Sequence, residues 1–140
     1  MPTADFYLID AARFRAEPLL LVCELAKMAF ERQLPTHVLV RSPEQAEALD
    51  EALWAFDEDA FVPHQIAGED DDESTPVLIV PPGAEVPARA LAINLRDECA
   101  PAGYAAVKEV IPAEESERLD SRRRWSEYRA RGYALRKFDM

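Results

Sequence analysis

The sequence predicts an α/β fold with a mainly parallel sheet flanked by helices, and three observations lead to that reading. Short apolar or β-branched runs at 4–10, 36–41, 77–80, 91–95 and 107–111 are interleaved with segments of helical period. The order strand, helix, strand, helix requires crossovers, which are right-handed and favour parallel pairing. The chain has 140 residues, 49% hydrophobic and 31% charged, which suits one domain with its own core. The expectation is a single Rossmann-like domain over residues 1–140.

The first strand, 4–10, is aromatic and apolar through Phe6 to Ile9. A helix is predicted over 17–33, where Leu21, Leu25 and Met28 recur at helical spacing beside Leu20 and Ala29. Pro35 helps to end it, and Thr36–Arg41 supplies a β-branched second strand. The next helix start is the clearest local signal. Ser42 can cap, Pro43 fits the first turn, and Gln45 completes an S-x-x-Q capping box. Ala46, Leu49, Leu53 and Trp54 then run along one side, fading near Phe56 and Asp57. Residues 57–75 read as a long connection, with Phe61–Ile66 and then the acidic run Glu69–Glu73. After the strands at 77–80, 91–95 and 107–111, a last helix is predicted from about Pro112 to Arg131, stopped by Gly132.

Chemistry is sparse. The four glycines are Gly68, Gly83, Gly103 and Gly132. None follows the first strand, where a phosphate loop needs close backbone approach. There is no Walker motif, so no nucleotide cofactor is expected. His37 and His64 stand apart from Cys23 and Cys99, which makes a poor zinc site. The acidic run 69–73 lacks the ligand spacing and glycine of a calcium loop. No catalytic residue, cofactor or metal is predicted. The two cysteines read as reduced thiols. No apolar run reaches the roughly 20 residues of a membrane helix, and the acidic opening lacks a signal peptide's basic region. A cytoplasmic protein without membrane contact is expected.

The net charge is −11, which opposes a whole-surface grip on phosphates. The distribution is uneven. Residues 1–115 hold eight Lys/Arg against 23 Asp/Glu, while residues 116–140 hold eight against four. The C-terminal end thus suits an anionic partner. Within it, Arg118, Arg122, Trp125 and Arg129 are spaced four, three and four apart on one helical face. Guanidinium groups clasp carboxylates and an indole offers an apolar floor, so this face fits an acidic peptide with an apolar end, or single-stranded nucleic acid. Pattern alone leans toward a plainer arrangement, a solvated arginine helix with Trp125 and Tyr128 in the core. A second candidate surface is 53–64, where Trp54, Phe61, Val62, Pro63 and His64 cluster. Trp is enriched at interfaces. Composition is evenly divided between a partner site and aromatic cover for the sheet edge.

These segments also carry a family resemblance. Asp-Phe-Tyr-Leu-Ile-Asp at 5–10, Ala-Glu-Ala-Leu-Asp-Glu-Ala-Leu-Trp at 46–54, Phe-Val-Pro-His at 61–64 with Ala67 and Gly68, Ile-Asn-Leu at 93–95, and Arg-Trp-Ser-Glu-Tyr-Arg-Ala-Arg-Gly-Tyr at 124–133 resemble the chi subunit of bacterial DNA polymerase III. The resemblance spans nearly the whole chain, in order. It implies a non-catalytic accessory subunit of the polymerase holoenzyme, tethered to the clamp loader by the psi subunit. It also implies a grip on the acidic, phenylalanine-ended tail of the single-stranded-DNA-binding protein, so that DNA is met only indirectly. By that resemblance Arg118, Arg122, Trp125, Tyr128 and Arg129 are the tail-binding residues. Trp54 and Phe61 match aromatic positions associated with partner docking, and with Val62, Pro63 and His64 they form the expected psi site. The acidic loop at 69–74 and the final Arg-Lys-Phe-Asp-Met depart from the family's pattern. The alternative is direct single-stranded nucleic-acid binding by the basic C-terminal helix.

Overall fold

The computed structural model describes residues 1–56 and 61–140. The predicted fade of the helix at Asp57 and the start of the connection lie outside the described residues. The elements are β1 (Thr3–Leu8), α1 (Ala12–Ala16), α2 (Pro18–Glu31), β2 (Thr36–Leu39), α3 (Pro43–Ala55), β3 (His64–Ile66), β4 (Val77–Val80), β5 (Leu91–Asn94), β6 (Ala106–Ile111), α4 (Glu115–Ala130) and β7 (Ala134–Asp139). Among the described residues the strands form one seven-stranded sheet in the order β3-β4-β2-β5-β6-β1-β7. All neighbours are parallel. The expected α/β class with a parallel sheet is what the chain adopts. Two strands go beyond the prediction, β3 and β7, and so does the single-turn α1.

Parallel pairing explains the composition of the central strands. With helices on both faces a strand has no solvated side, so it reads as a continuous apolar run. Val77–Val80 does so, and all four residues are buried. Its side chains alternate between two cores. Val77 and Ile79 join Leu21, Leu25, Leu49, Leu53 and Val38 beneath α2 and α3. Leu78 and Val80 join Phe6, Val107, Ile111 and Tyr128 beneath α4. Each such Val, Leu or Ile contributes about 1.5–3 kcal/mol on burial.

The α3 start follows the predicted chemistry with one adjustment. The Gln45 main-chain N–H donates to Ser42 Oγ at 3.1 Å. The Gln45 side chain accepts from the N–H of Arg41, one residue before the cap, at 2.8 Å.

Arginines fix the sheet's two rims. Arg89 donates to four main-chain carbonyls, those of Thr36, Asp72, Thr75 and Pro76, at 2.6–3.0 Å. At the carboxyl ends of the strands, Arg96 donates to the carbonyls of Val40 and Val80, both at 2.9 Å. Arg41 donates to Leu95 O at 2.6 Å and pairs with Glu117 at 2.8 Å and Asp97 at 3.2 Å. Doubly wound sheets commonly admit ligands at this rim. Here guanidinium groups lie across it, with their donors engaged by protein oxygens. The two thiols are free and buried, and burial pushes both Cys23 and Cys99 up to about 12.

Candidate functional site: a basic aromatic cleft beside the last helix

α4 is positioned by charges it buries. Ser121, Arg124 and Tyr128 face the sheet. Glu109, in the middle of β6 and 0% exposed, accepts from Arg124 Nε at 3.0 Å, Asn94 Nδ2 at 2.7 Å and Tyr128 Oη at 2.6 Å. All three partners donate, so the cluster is built around a carboxylate. Burial pushes the Glu109 carboxyl up from its ordinary value, and Arg124 and the two neutral donors oppose that push. Tyr128 Oη also accepts from the Ala100 N–H at 2.8 Å, and Arg124 donates to Asp97 O at 3.0 Å. The helix is thereby tied to β5, β6 and the 97–100 loop. A buried charge stripped of one partner is strongly destabilising, so this set holds one rotation of α4.

That rotation turns Arg118, Arg122 and Trp125 toward the open side. They line a cleft of about 550 Å³ together with Ser121 and Ser126 of α4, Phe6 and Leu8 of β1, and Lys137 of β7. The Trp125 ring meets Phe6 edge-on at 5.1 Å, so the floor is apolar. Arg118 is anchored: it donates to Ile9 O at 2.5 Å and to Pro112 O at 3.4 Å. Arg122 and Lys137 are exposed and have no ionic or hydrogen-bonded side-chain partner among the described residues. The cleft therefore presents two free cations over an aromatic floor.

The structure sorts the expected tail-binding residues. Arg118, Arg122 and Trp125 come together in the cleft. Arg129 is exposed one turn further on, outside the lining. Tyr128 is 0% exposed and belongs to the core beneath α4. Lys137, Phe6 and Leu8 were not singled out from sequence. Lys137 depends on β7, whose pairing places it opposite Phe6.

The second expected surface divides similarly. Trp54 and Phe61 are 62% and 55% exposed, with ring centroids 5.1 Å apart. His64 lies beneath them, its ring 5.2 Å from Trp54 and its side chain fully covered, with Nδ1 2.7 Å from Val62 O and Nε2 3.2 Å from Asp50. Val62 is in the core and Pro63 is half-buried. Two aromatic rings face solvent, on a pedestal made by the other residues. Among the described residues no His/Cys/Asp/Glu group could hold a metal ion, and no helix is long and apolar enough to cross a membrane.

Comparison with known proteins bears on the fold and the family. The fold alone is similar to the C-terminal domain of S. cerevisiae Dbp5, with a TM-score of 0.63 at 12% identity over 99% of this chain and 90% of that one. Three sequence relatives each carry the name DNA polymerase III subunit chi. The Escherichia coli K12 protein is 33% identical, with 96% of each chain covered. The Pseudomonas aeruginosa protein is 34% identical, covering 96% of this chain and 94% of the relative. The Haemophilus influenzae protein is 28% identical, covering 95% and 94%. The family model for the DNA polymerase III chi subunit, HolC, matches residues 1–136, and this chain belongs to that family.

Proposed function

We propose that this chain is a non-catalytic adaptor that uses the α4 cleft to hold the acidic, phenylalanine-ended tail of the single-stranded-DNA-binding protein. The Trp54–Phe61 pair takes the clamp-loader partner, the psi subunit. Membership of the chi family carries an accessory role in DNA replication. The single observation that supports tail binding is the pairing of Arg122 and Lys137, both free, with the Trp125–Phe6 floor. An acidic segment meets the cations, and a terminal aromatic ring rests against Trp125. Tyr128 takes no direct part in this reading. The outward rings of Trp54 and Phe61 have the character of an interface anchor, large and apolar at a polar surface.

Calorimetric titration with a synthetic acidic peptide ending in Phe tests the cleft. Arg122→Ala should cost about 1–3 kcal/mol of affinity, the usual range for losing a charge-assisted contact. Unchanged affinity would remove Arg122 from the site. The rival, direct nucleic-acid binding, predicts tight binding of a labelled oligonucleotide without the peptide-bearing protein.

A further inference from the structure

The two edges of the sheet are not alike. β3 is three residues long, and Asp72 of the following loop accepts from the Gln65 side chain and the Gly68 N–H at 2.7 and 2.8 Å. Short strands beside a folded loop are a common way to blunt an edge. β7 is six residues long, pairs on one side with β1, and among the described residues has no element beyond it. Its ladder fixes which groups look outward. The Ala134 N–H donates to Pro2 O and the Met140 N–H to Leu8 O, so the even-numbered residues of this segment face β1. In a parallel ladder the intervening residues point both N–H and C=O the other way. Leu135, Lys137 and Asp139 therefore offer three donors and three acceptors along an open edge, unpartnered among the described residues. The side chains of Leu135 and Lys137 rise on the α4 side, because they pair with Ala4 and Phe6 of the core beneath α4. The edge and the cleft are thus continuous.

We infer that an acidic peptide docks here as an eighth strand, adding to the free edge of β7 so that alternate side chains enter the α4 cleft. This rests on the tail-binding reading above and specifies its geometry. An added strand lies about 4.8 Å outside β7, with side chains alternating between faces. Those on the α4 side reach Lys137, Arg122 and Trp125. Asp139 closes one end of the edge, so acidic side chains settle at the Lys137 end. Charge selects the occupant. Arg136 is held by Asp5 at 2.9 and 3.0 Å on the other face, so Lys137 is the free cation of the edge. An acidic peptide meets it with opposite charge, whereas two copies paired about this position would set one ammonium against the other.

The full chain, labelled with ¹⁵N, is titrated with an eight-residue acidic peptide ending in Phe while amide exchange is followed. Strand addition expects at least tenfold slower exchange at Leu135, Lys137 and Asp139, and little change at Ala134, Arg136 and Phe138. N-methylating the peptide one amide at a time should weaken binding about tenfold at every second position. On the protein side Lys137→Pro removes an outward N–H without breaking the β1 ladder, and should weaken binding more than Lys137→Thr, which removes only the charge. Peptide binding that depends on Arg122, with neither the two-residue period nor the protection, overturns strand addition and leaves the cleft reading standing. No peptide binding overturns both. Protection of the same three amides at high protein concentration without peptide, with a dimer by sedimentation, overturns the peptide in favour of self-pairing.

Discussion

Replacing Tyr128 with Phe separates a residue that contacts a partner from one that holds the contact surface in place. The ring stays, with its edge contact to Phe6 at 6.0 Å and its neighbour Tyr133 at 5.1 Å, so no cavity larger than an oxygen atom is created. What is lost is one hydroxyl with two jobs. It donates to Glu109 at 2.6 Å, a charge-assisted bond, and it accepts from the Ala100 N–H at 2.8 Å. Losing the first costs about 1.5–3 kcal/mol. Ala100 is fully buried, and leaving its N–H without a partner costs about 1–3 kcal/mol more. The two terms overlap where the site relaxes, which puts the destabilisation near 3 kcal/mol. For a domain of this size that is about 10 °C in Tm. Circular dichroism melts and urea midpoints of Tyr128→Phe against the parent measure it. Peptide affinity, measured where both are folded, should stay within about twofold. A stability loss below about 1 kcal/mol, or an affinity loss above tenfold with stability intact, would refute the assignment of Tyr128 to the frame of the site.

Other substitutions divide along the same line. Trp54→Ala should change stability by less than about 1 kcal/mol, because the ring is mostly exposed, yet it should abolish capture of the clamp-loader partner in a co-purification assay. Peptide affinity at the α4 cleft should fall as salt rises from 50 to 300 mM, since its cations are exposed; a flat salt profile would exclude Arg122 and Lys137 as the contacts. His37 gives a pH signature. It is buried in β2 with Nδ1 2.7 Å from the Tyr104 hydroxyl, and burial with nearby Arg89 lowers it from 6.5 to about 4. The folded state resists a proton that the unfolded state accepts. The stability from His37 is therefore fully present above about pH 6.5 and is lost as pH falls toward 4, at most about 3 kcal/mol. Urea unfolding of the parent and of His37→Phe at pH 7 and pH 4 should diverge by that amount.

The parallel core was legible because its strands are buried on both faces and read as continuous apolar runs. The α3 start was legible because Ser42, Pro43 and Gln45 have local chemistry that no distant contact overrides. β7 was not, since an edge strand solvated along its length carries Arg136, Lys137 and Asp139 where a central strand would carry Val or Ile. Trp54 sits one position after buried Leu53, so helical spacing alone left its direction open; the α3 rotation sends it outward. For α4, spacing grouped Arg118, Arg122, Trp125 and Arg129, of which the first three share the cleft and Arg129 lies outside it. The family resemblance added Tyr128, which the fold buries, as the plainer pattern reading had it. A signal for that burial was present. Glu109 follows Lys108 in a strand whose other residues, Ala106, Val107, Val110 and Ile111, are apolar, and where such a carboxylate is buried it requires donors from another element. Arg124 and Tyr128 are those donors.

The Glu109 set has a consequence for how this surface can change over time. It works as a key and slot: three donors from two elements fit one carboxylate, and α4 seats at a single angle. The residues that bind Glu109 and the free cation Arg122 of the cleft are different residues on different sides of the helix. Substitutions at 122 can therefore alter what the cleft prefers while the seat stays untouched, whereas 118 and 125 also hold Ile9 O and the Phe6 ring, so exchanges there must keep a donor and an aromatic ring. Changes at 109, 124 or 128 have no such freedom, although none of the three would touch a ligand in the cleft.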